Sequence, residues 1–230
     1  AVEYFDGRAL QFLERQRCTV DAFAALAPLG ERAGPAVYLE YHADDEAAVE
    51  EAVGGMGEVL ARCGGRDADT WLATRPAEVA RLRDFRHALP EAVNLAIDER
   101  RRIDPSLAKL GTDMAVPDPM LGLILSRYDR DLCAAGLEYV KFGHIGDSHV
   151  HVNIIPRSRR DYDAGSELYQ RWARTVVGIG GTSSAEHGVG KLKRELLELM
   201  YGEAGVREMR DLKRCFDPVF VLGRGTMFEP

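Results

Sequence analysis

Histidines concentrate in one part of the sequence, in an alternation that suits metal binding. In residues 149–154 (HVHVNI) two histidines and an asparagine alternate with valine and isoleucine, which predicts that the polar side chains share one face of a β-strand. The segment GDS at 146–148 predicts a turn that joins this strand to the preceding one. If that turn places His144 opposite His149, then His144 and His151 are diagonal neighbours, about 7–8 Å apart at Cα, and can share one ion.

A second candidate segment lies at residues 180–190 (GGTSSAEHGVG). Here Glu186 places an acceptor next to His187, which can act as a base. Adjacent side chains outside a helix are expected to diverge, so one would ligate the metal while the other faces a substrate. Although Gly190 and Lys191 resemble the end of a phosphate-binding loop, Leu192 follows where that loop needs serine or threonine.

The alternative to a metal site is that these histidines are ordinary solvent-exposed surface residues. A single histidine on a strand is more often a surface residue than a ligand. Three on one predicted face, followed by a Glu-His pair, favour a metal site or an active site over that alternative.

Helices and strands alternate along the chain and must position these residues. The patterns predict strands at 35–42, 68–73, 111–116, 137–145 and 149–156. They predict helices at 5–17, from Asp44 to Gly64, at 76–87 with a second stretch running to 100, and at 120–135, 165–177, 192–200 and 205–215. A hairpin whose strands are separated from others by helices indicates an α+β fold with a largely antiparallel sheet.

Composition excludes several functional classes. The 230 residues carry a net charge of −7 and no cluster of Lys or Arg, so a nucleic-acid or anionic-membrane surface is not expected. No apolar stretch approaches the roughly 20 residues of a membrane span. The four scattered cysteines form no C-x-x-C pair and are expected to be reduced, which favours the cytoplasm, with a peripheral position at the inner face of the membrane as the alternative.

Taken together, the motifs resemble the C-terminal region of FAD-linked oxidases, the group of D-lactate dehydrogenases, the glycolate oxidase large subunit and D-2-hydroxyglutarate dehydrogenase. The resemblance rests on residues 143–153 (GHIGDSHVHVN) and 180–190. It extends to residues 109–117 (KLGTDMAVP) and to the tail at 212–218 (LKRCFDP).

This resemblance implies a ferredoxin-like α+β architecture. It also implies that residues 1–230 form one cap or substrate-binding domain, and that an FAD-binding domain precedes Ala1 in the protein. The implied activity is oxidation of a 2-hydroxy acid to a 2-oxo acid by hydride transfer to flavin, and the implied partners are the hydroxy acid, the FAD-binding domain and an electron acceptor that stays unassigned.

Position by position, the resemblance also implies roles for seven side chains: metal ligands at His144, His151 and Glu186, a base at His187, and substrate contacts from Arg86, Lys109 and Asn153. Arg83 is a rival to Arg86 by a small register shift. The ion would be Zn²⁺, or Mn²⁺ or Fe²⁺, because two imidazoles and a carboxylate leave positions open for substrate.

Two positions depart from the family pattern. The family often has Gly-Asn where Ser148-His149 stands, so His149 has three open roles: a spectator, a group behind the ligands, or an extra ligand. Residues 223–226 (GRGT) replace a closing Asn-Pro-Gly-Lys type segment, and no flavin contact is assigned to them. Two other functions are weighed against the oxidase: a free-standing metal-dependent hydrolase using the same ligands, and a non-catalytic subunit that docks on a separate flavoprotein.

Overall fold

A computed structural model describes residues 1–26, 28–29 and 34–229. The strands are β1 (Val2–Phe5), β2 (Ala36–Leu39), β3 (Leu110–Gly111), β4 (Tyr139–His144) and β5 (His149–Ile154). The helices are α1 (Gly7–Thr19), α2 (Glu46–Arg62), α3 (Pro76–Ile103), α4 (Leu121–Ala135), α5 (Arg159–Gly178) and α6 (Arg194–Phe216).

The five strands form one antiparallel sheet in the order β2-β1-β4-β5-β3. At its centre, β4 and β5 pair as a hairpin through the turn Ile145–Asp147, with His144 opposite His149 and Phe142 opposite His151. The expected α+β fold with an antiparallel sheet is therefore confirmed, and so is the hairpin register on which the histidine prediction depends.

Helices cover both faces of this sheet. Val140 and Phe5 pack into one core with α1 and α3, whereas Val152 and Ile154 pack into a second core with α4 and α5. Because side chains alternate along β5, the valines and isoleucine point into the second core and the histidines point to the face that carries α1 and α3. His149, His151 and Asn153 thus lie on the face of the sheet that α1 and α3 partly cover.

Local sequence explains most element boundaries. The Asp6 side chain caps α1 by accepting from the backbone N–H of Ala9 at 2.7 Å, and Ser158 caps α5 in the same way. Helix α4 ends at Gly136, whose φ of 64° is in the left-handed region that glycine adopts without strain. The break expected between two C-terminal helices occurs at Gly202, a non-helical residue inside α6.

Three element predictions are wrong. Strand β1 was not expected, because four residues carry too little alternation to be distinguished from the start of a helix. Residues 68–73 are not a strand, since Asp67–Asp69 is a 3-10 turn and the sheet edges are formed by β2 and β3. The two stretches between 76 and 100 form one helix that passes through Pro90, because its buried face, with Leu89 and Val93 fully enclosed, offsets the cost of an interior proline.

Among the residues that the structure describes, no helix is both long enough and apolar enough to cross a bilayer.

Candidate functional site

The β4–β5 hairpin brings three imidazoles together. Their ring centroids are 5.6 Å apart for His144 and His149, 5.7 Å for His144 and His151, and 4.3 Å for His149 and His151. Gly143 makes this approach possible, because a Cβ at that position would lie 2.8 Å from Cδ2 of His151 and its φ is +138°. The predicted diagonal pair is therefore a real neighbour pair, with His149 beside both rings.

Glu186 reaches this cluster through two segments that extend the sheet. Residues 112–116 run alongside β5, with the N–H of Thr112 donating to the carbonyl of Val152. Ala115 in turn bridges to Thr182, so the loop that follows Thr182 ends over the histidines. The two sequence clusters, at residues 149–154 and 180–190, form one site in space.

The carboxylate of Glu186 lies between the rings. Its Oε2 is 3.1 Å from Nε2 of His144, and its Oε1 is 3.0 Å from Nε2 of His151. Oε1 also lies 2.9 Å from Nε2 of His187, although the His187 ring is largely exposed. The expected divergence of Glu186 and His187 is thus wrong, because the His187 ring turns back onto Oε1 of Glu186.

Asp113 holds this loop from beneath. Its buried carboxylate accepts the backbone N–H of Glu186 at 3.0 Å and that of His187 at 3.1 Å. It also accepts from Oγ of Ser184 and from Nζ of Lys193, the latter at 2.7 Å. Burial alone would raise the pKa of Asp113, but the neighbouring His149 and these hydrogen bonds outweigh it and hold the pKa well below its usual range. The loop is anchored on an ionised side chain.

Electrostatics of the cluster favour a bound cation. Burial lowers the pKa of His151 below its ordinary value, which keeps the ring neutral, the form that ligates a metal. Burial would raise the pKa of Glu186, but its attraction to the surrounding histidines in their protonated form, His144 first, holds it below its usual value. The site therefore offers neutral nitrogen and anionic oxygen at the same point.

The donor set fits a divalent ion. One ligand atom from each of His144, His149, His151 and Glu186 lies within 4.8 Å of every other. Bonds of about 2.0–2.2 Å around a tetrahedral ion place its ligand atoms roughly 3.3–3.6 Å apart, somewhat more than the 3.0–3.1 Å found between Glu186 and the two rings. Metal-binding histidines usually have the second ring nitrogen hydrogen-bonded. That requirement is met here, since Nδ1 of His144 faces Glu3 at 3.1 Å and Nδ1 of His151 faces the carbonyl of Thr112 at 2.6 Å.

Both candidate arginines form ion pairs with glutamates. Arg86 donates from Nε and Nη2 to Glu3. The same carboxylate faces His144, so Glu3 links Arg86 to the histidine cluster. Arg83 pairs with Glu40 instead. Of the two rivals, Arg86 is therefore the one that the fold connects to the histidines.

Lys109 and Asn153 lie together further along β5. Asn153 is buried two positions beyond His151 on the same face, and its Oδ1 and the Lys109 Cε both approach Gly111. Nζ of Lys109 donates to the Asn94 side chain at 3.0 Å, and burial lowers its pKa. Within the described residues Lys109 has no ion pair, so it is a cation available to an anionic ligand.

An open cleft borders the cluster on its His149 side. It has a volume of about 480 Å³ and is lined by Ala115, His144, Asp147, His149, Thr182, Ala185 and Glu186. This volume falls in the range of small-molecule sites.

Sequence reasoning missed Glu3 and Asp113. Glu3 sits on β1, the strand that was not predicted, and lies 141 positions from His144, so no local pattern marks it. Asp113 stands inside the KLGTDMAVP motif, where an acidic residue in an otherwise apolar segment was a signal that could have been used.

We expect Glu3→Gln to weaken metal binding about 10–100-fold, because the neutral amide no longer orients His144. Titration with Zn²⁺ in competition with a chelator measures this. The matched control is Glu40→Gln, which removes the glutamate of Arg83 and touches none of the histidines of the cluster. Equal affinities for the two variants would contradict an orienting role for Glu3.

Sequence comparisons with known proteins find relatives of this chain. Residues 1–227 match the family model of FAD linked oxidases, C-terminal domain. A D-2-hydroxyglutarate dehydrogenase of Xanthomonas citri pv. viticola is 26% identical over 233 residues, which is 100% of this chain and 46% of that protein. A probable mitochondrial D-lactate dehydrogenase of Danio rerio is 28% identical, with 85% of this chain and 38% of that protein covered. A glycolate oxidase subunit of Bacillus subtilis is also 28% identical, with 66% and 32% covered. The chain thus spans less than half the length of each of these relatives.

Proposed function

This chain belongs to the family of FAD-linked oxidase C-terminal domains, and on that premise we propose that it is the substrate-binding half of a flavin-dependent 2-hydroxy-acid dehydrogenase or oxidase. Residues 1–230 would form one cap domain that works with an FAD-binding domain. The observation that carries the proposal is the convergence of His144, His151, Glu186 and His187 on one point. D-lactate, glycolate and D-2-hydroxyglutarate are the candidate substrates.

His144, His151 and Glu186 would hold the divalent ion, Zn²⁺ or Mn²⁺ or Fe²⁺. When bound, such an ion supplies Lewis acidity at the substrate hydroxyl, and FAD supplies the hydride acceptor. His187 accepts the hydroxyl proton on its exposed ring, and the adjacent Glu186 carboxylate stabilises the resulting imidazolium. Asp113 fixes the backbone of both residues, which keeps the base at a constant position relative to the ligands.

Lys109 is the residue we propose for the substrate carboxylate, with Asn153 as a hydrogen-bonding neighbour. The lysine is exposed and has no carboxylate partner in the described part of the chain, since its Nζ donates to the Asn94 side chain, so its charge is free to bind an anionic ligand. Arg86 contributes as a second cation. Its Nε and Nη2 face Glu3, which leaves Nη1 for a substrate oxygen.

An exposed apolar surface near the C-terminus supports a partner domain. Phe216, Val219, Val221 and Leu222 are 82%, 71%, 63% and 66% exposed, and Leu192 is 99% exposed. Four of these residues lie within residues 216–222, and exposed apolar patches mark interaction surfaces. We propose that the FAD-binding domain covers them. Cytoplasmic location remains our proposal, and the four free, exposed cysteines are consistent with a reducing compartment.

The proposal is tested on the full-length gene product. We expect a yellow protein with flavin absorbance that oxidises at least one of the three candidate hydroxy acids when an artificial electron acceptor is present. A colourless protein, or one that oxidises none of them, would overturn the proposal. Ester and phosphoester hydrolysis by the 230-residue chain with added Zn²⁺ tests the hydrolase alternative directly.

In the same assay Lys109→Met is expected to raise KM at least about 10-fold, since a charged hydrogen bond to the substrate contributes about 1.5–3 kcal/mol. The control is Arg130→Met, an exposed cation on α4 at the other face of the sheet. An unchanged KM would remove Lys109 from the substrate site and leave the flavin result intact.

A further inference from the structure

His149 is a buried polar side chain that the proposed mechanism does not use. It is 4% exposed, and its Nε2 has no hydrogen-bond partner among the residues that the structure describes. That nitrogen lies 3.4 Å from Oδ1 of Asp113. Burying a polar atom without a partner costs roughly 1–3 kcal/mol, so this arrangement calls for an explanation.

The three strand histidines share one pattern. Each has one ring nitrogen directed at a fixed acceptor: Glu3 for His144, the Thr112 carbonyl for His151, and Asp113 for His149. For His144 and His151 the opposite nitrogen faces Glu186, the shared carboxylate. For His149 the opposite nitrogen is Nδ1, and the ring lines the open cleft that Glu186 and His144 also line.

We propose that His149 is a third imidazole ligand, which makes this a site of three histidines and one glutamate. The inference rests on the proposed metal site and deepens it. Nδ1 of His149 would be the coordinating nitrogen. Nε2, which lies 3.4 Å from Oδ1 of Asp113, would then be oriented to donate its hydrogen to the carboxylate that also anchors the Glu186 loop. A ligand atom of His149 already lies within 4.8 Å of those of the other three residues.

A third imidazole changes which ion the site selects. Nitrogen-rich sites discriminate against Mg²⁺ and Ca²⁺, which prefer oxygen, and favour the later first-row ions. In this arrangement the Asp113 carboxylate faces the ring of His149 and also accepts the backbone N–H of Glu186, so it would orient two of the ligands. The loop and the strand are in this way coupled through one side chain.

X-ray absorption at the zinc edge tests the proposal on the Zn²⁺-loaded 230-residue chain, because it counts coordinated imidazoles without measuring activity. We expect three in the wild-type chain and two in His149→Asn, with a lower affinity for Zn²⁺ in the variant. His42→Asn, an exposed histidine paired with Glu40, is the control and should keep three.

Each outcome decides the question. Two imidazoles in the wild-type chain would overturn the role of His149 while leaving the metal site of the proposed function in place, and this reading does not depend on whether the variant folds. A wild-type chain that binds no Zn²⁺ would overturn both the third ligand and the metal site beneath it. An unchanged count in a folded His149→Asn variant would also overturn the assignment.

Discussion

Replacing Glu186 with glutamine is expected to lower the affinity of the chain for Zn²⁺ by more than about 100-fold. Residues that merely orient ligands change metal affinity about 10–100-fold, and Glu186 is the carboxylate on which His144, His151 and His187 converge. The amide has the same shape but carries no charge, so the loss reports on ligation rather than on packing. Titration with Zn²⁺ against a competing chelator measures it.

The matched control is Glu198→Gln, an exposed position on α6, where we expect affinity within a factor of two. In the full-length flavoprotein the oxidation rate of the Glu186→Gln variant should fall together with metal occupancy. A variant that binds Zn²⁺ as tightly as the wild type would show that the carboxylate lies near the ion without ligating it.

Replacing Asp113 with alanine is expected to destabilise the chain by about 3–5 kcal/mol. Removing one member of a buried ion pair leaves the other uncompensated, and here the partner is Lys193, 2.7 Å away. The same change leaves the backbone N–H groups of Glu186 and His187 without their acceptor. Urea unfolding of the metal-free chain measures the loss of stability.

Asp113→Asn should lose less, because it retains one carbonyl oxygen as an acceptor while removing the charge. Asp163→Ala is the control: its pair with Arg159 is exposed on both sides, and such pairs contribute about 0–1 kcal/mol. If the Asp113 and Asp163 variants unfold at the same urea concentration, the proposed anchoring of the 184–187 loop is wrong.

The part of the site that could be predicted is the part with a local repeat. The alternation of residues 149–154 fixes which side chains share a face, because the period of a strand is two. The short turn at 146–148 then determines which residues of β4 and β5 lie opposite each other, because the length of a hairpin loop sets its register. His144, His149 and His151 follow from these two facts, and the structure confirms their relative positions.

Predictions that depended on contacts between distant segments of the chain were less complete. Glu186 and His187 were expected to diverge. Asp113 instead accepts both of their backbone N–H groups, and the His187 ring lies against Oε1 of Glu186. The substrate contact expected of Arg86 stays a prediction; its ion pair with Glu3, on a strand that was not predicted, could not be foreseen. Two helical stretches were expected between residues 76 and 100, whereas a continuous buried face makes them one helix that passes through Pro90.

By itself, the sequence of this protein determines the α+β pattern, the β4–β5 hairpin and the face on which its histidines lie. These depend on periodicity and turn chemistry within about twenty residues. Tertiary structure alone decides that Glu3, Asp113 and Glu186 meet those histidines, since their positions depend on which strands and loops become neighbours at the sheet. A pairing of that kind is set by the packing of the two cores as a whole, and no single segment encodes it.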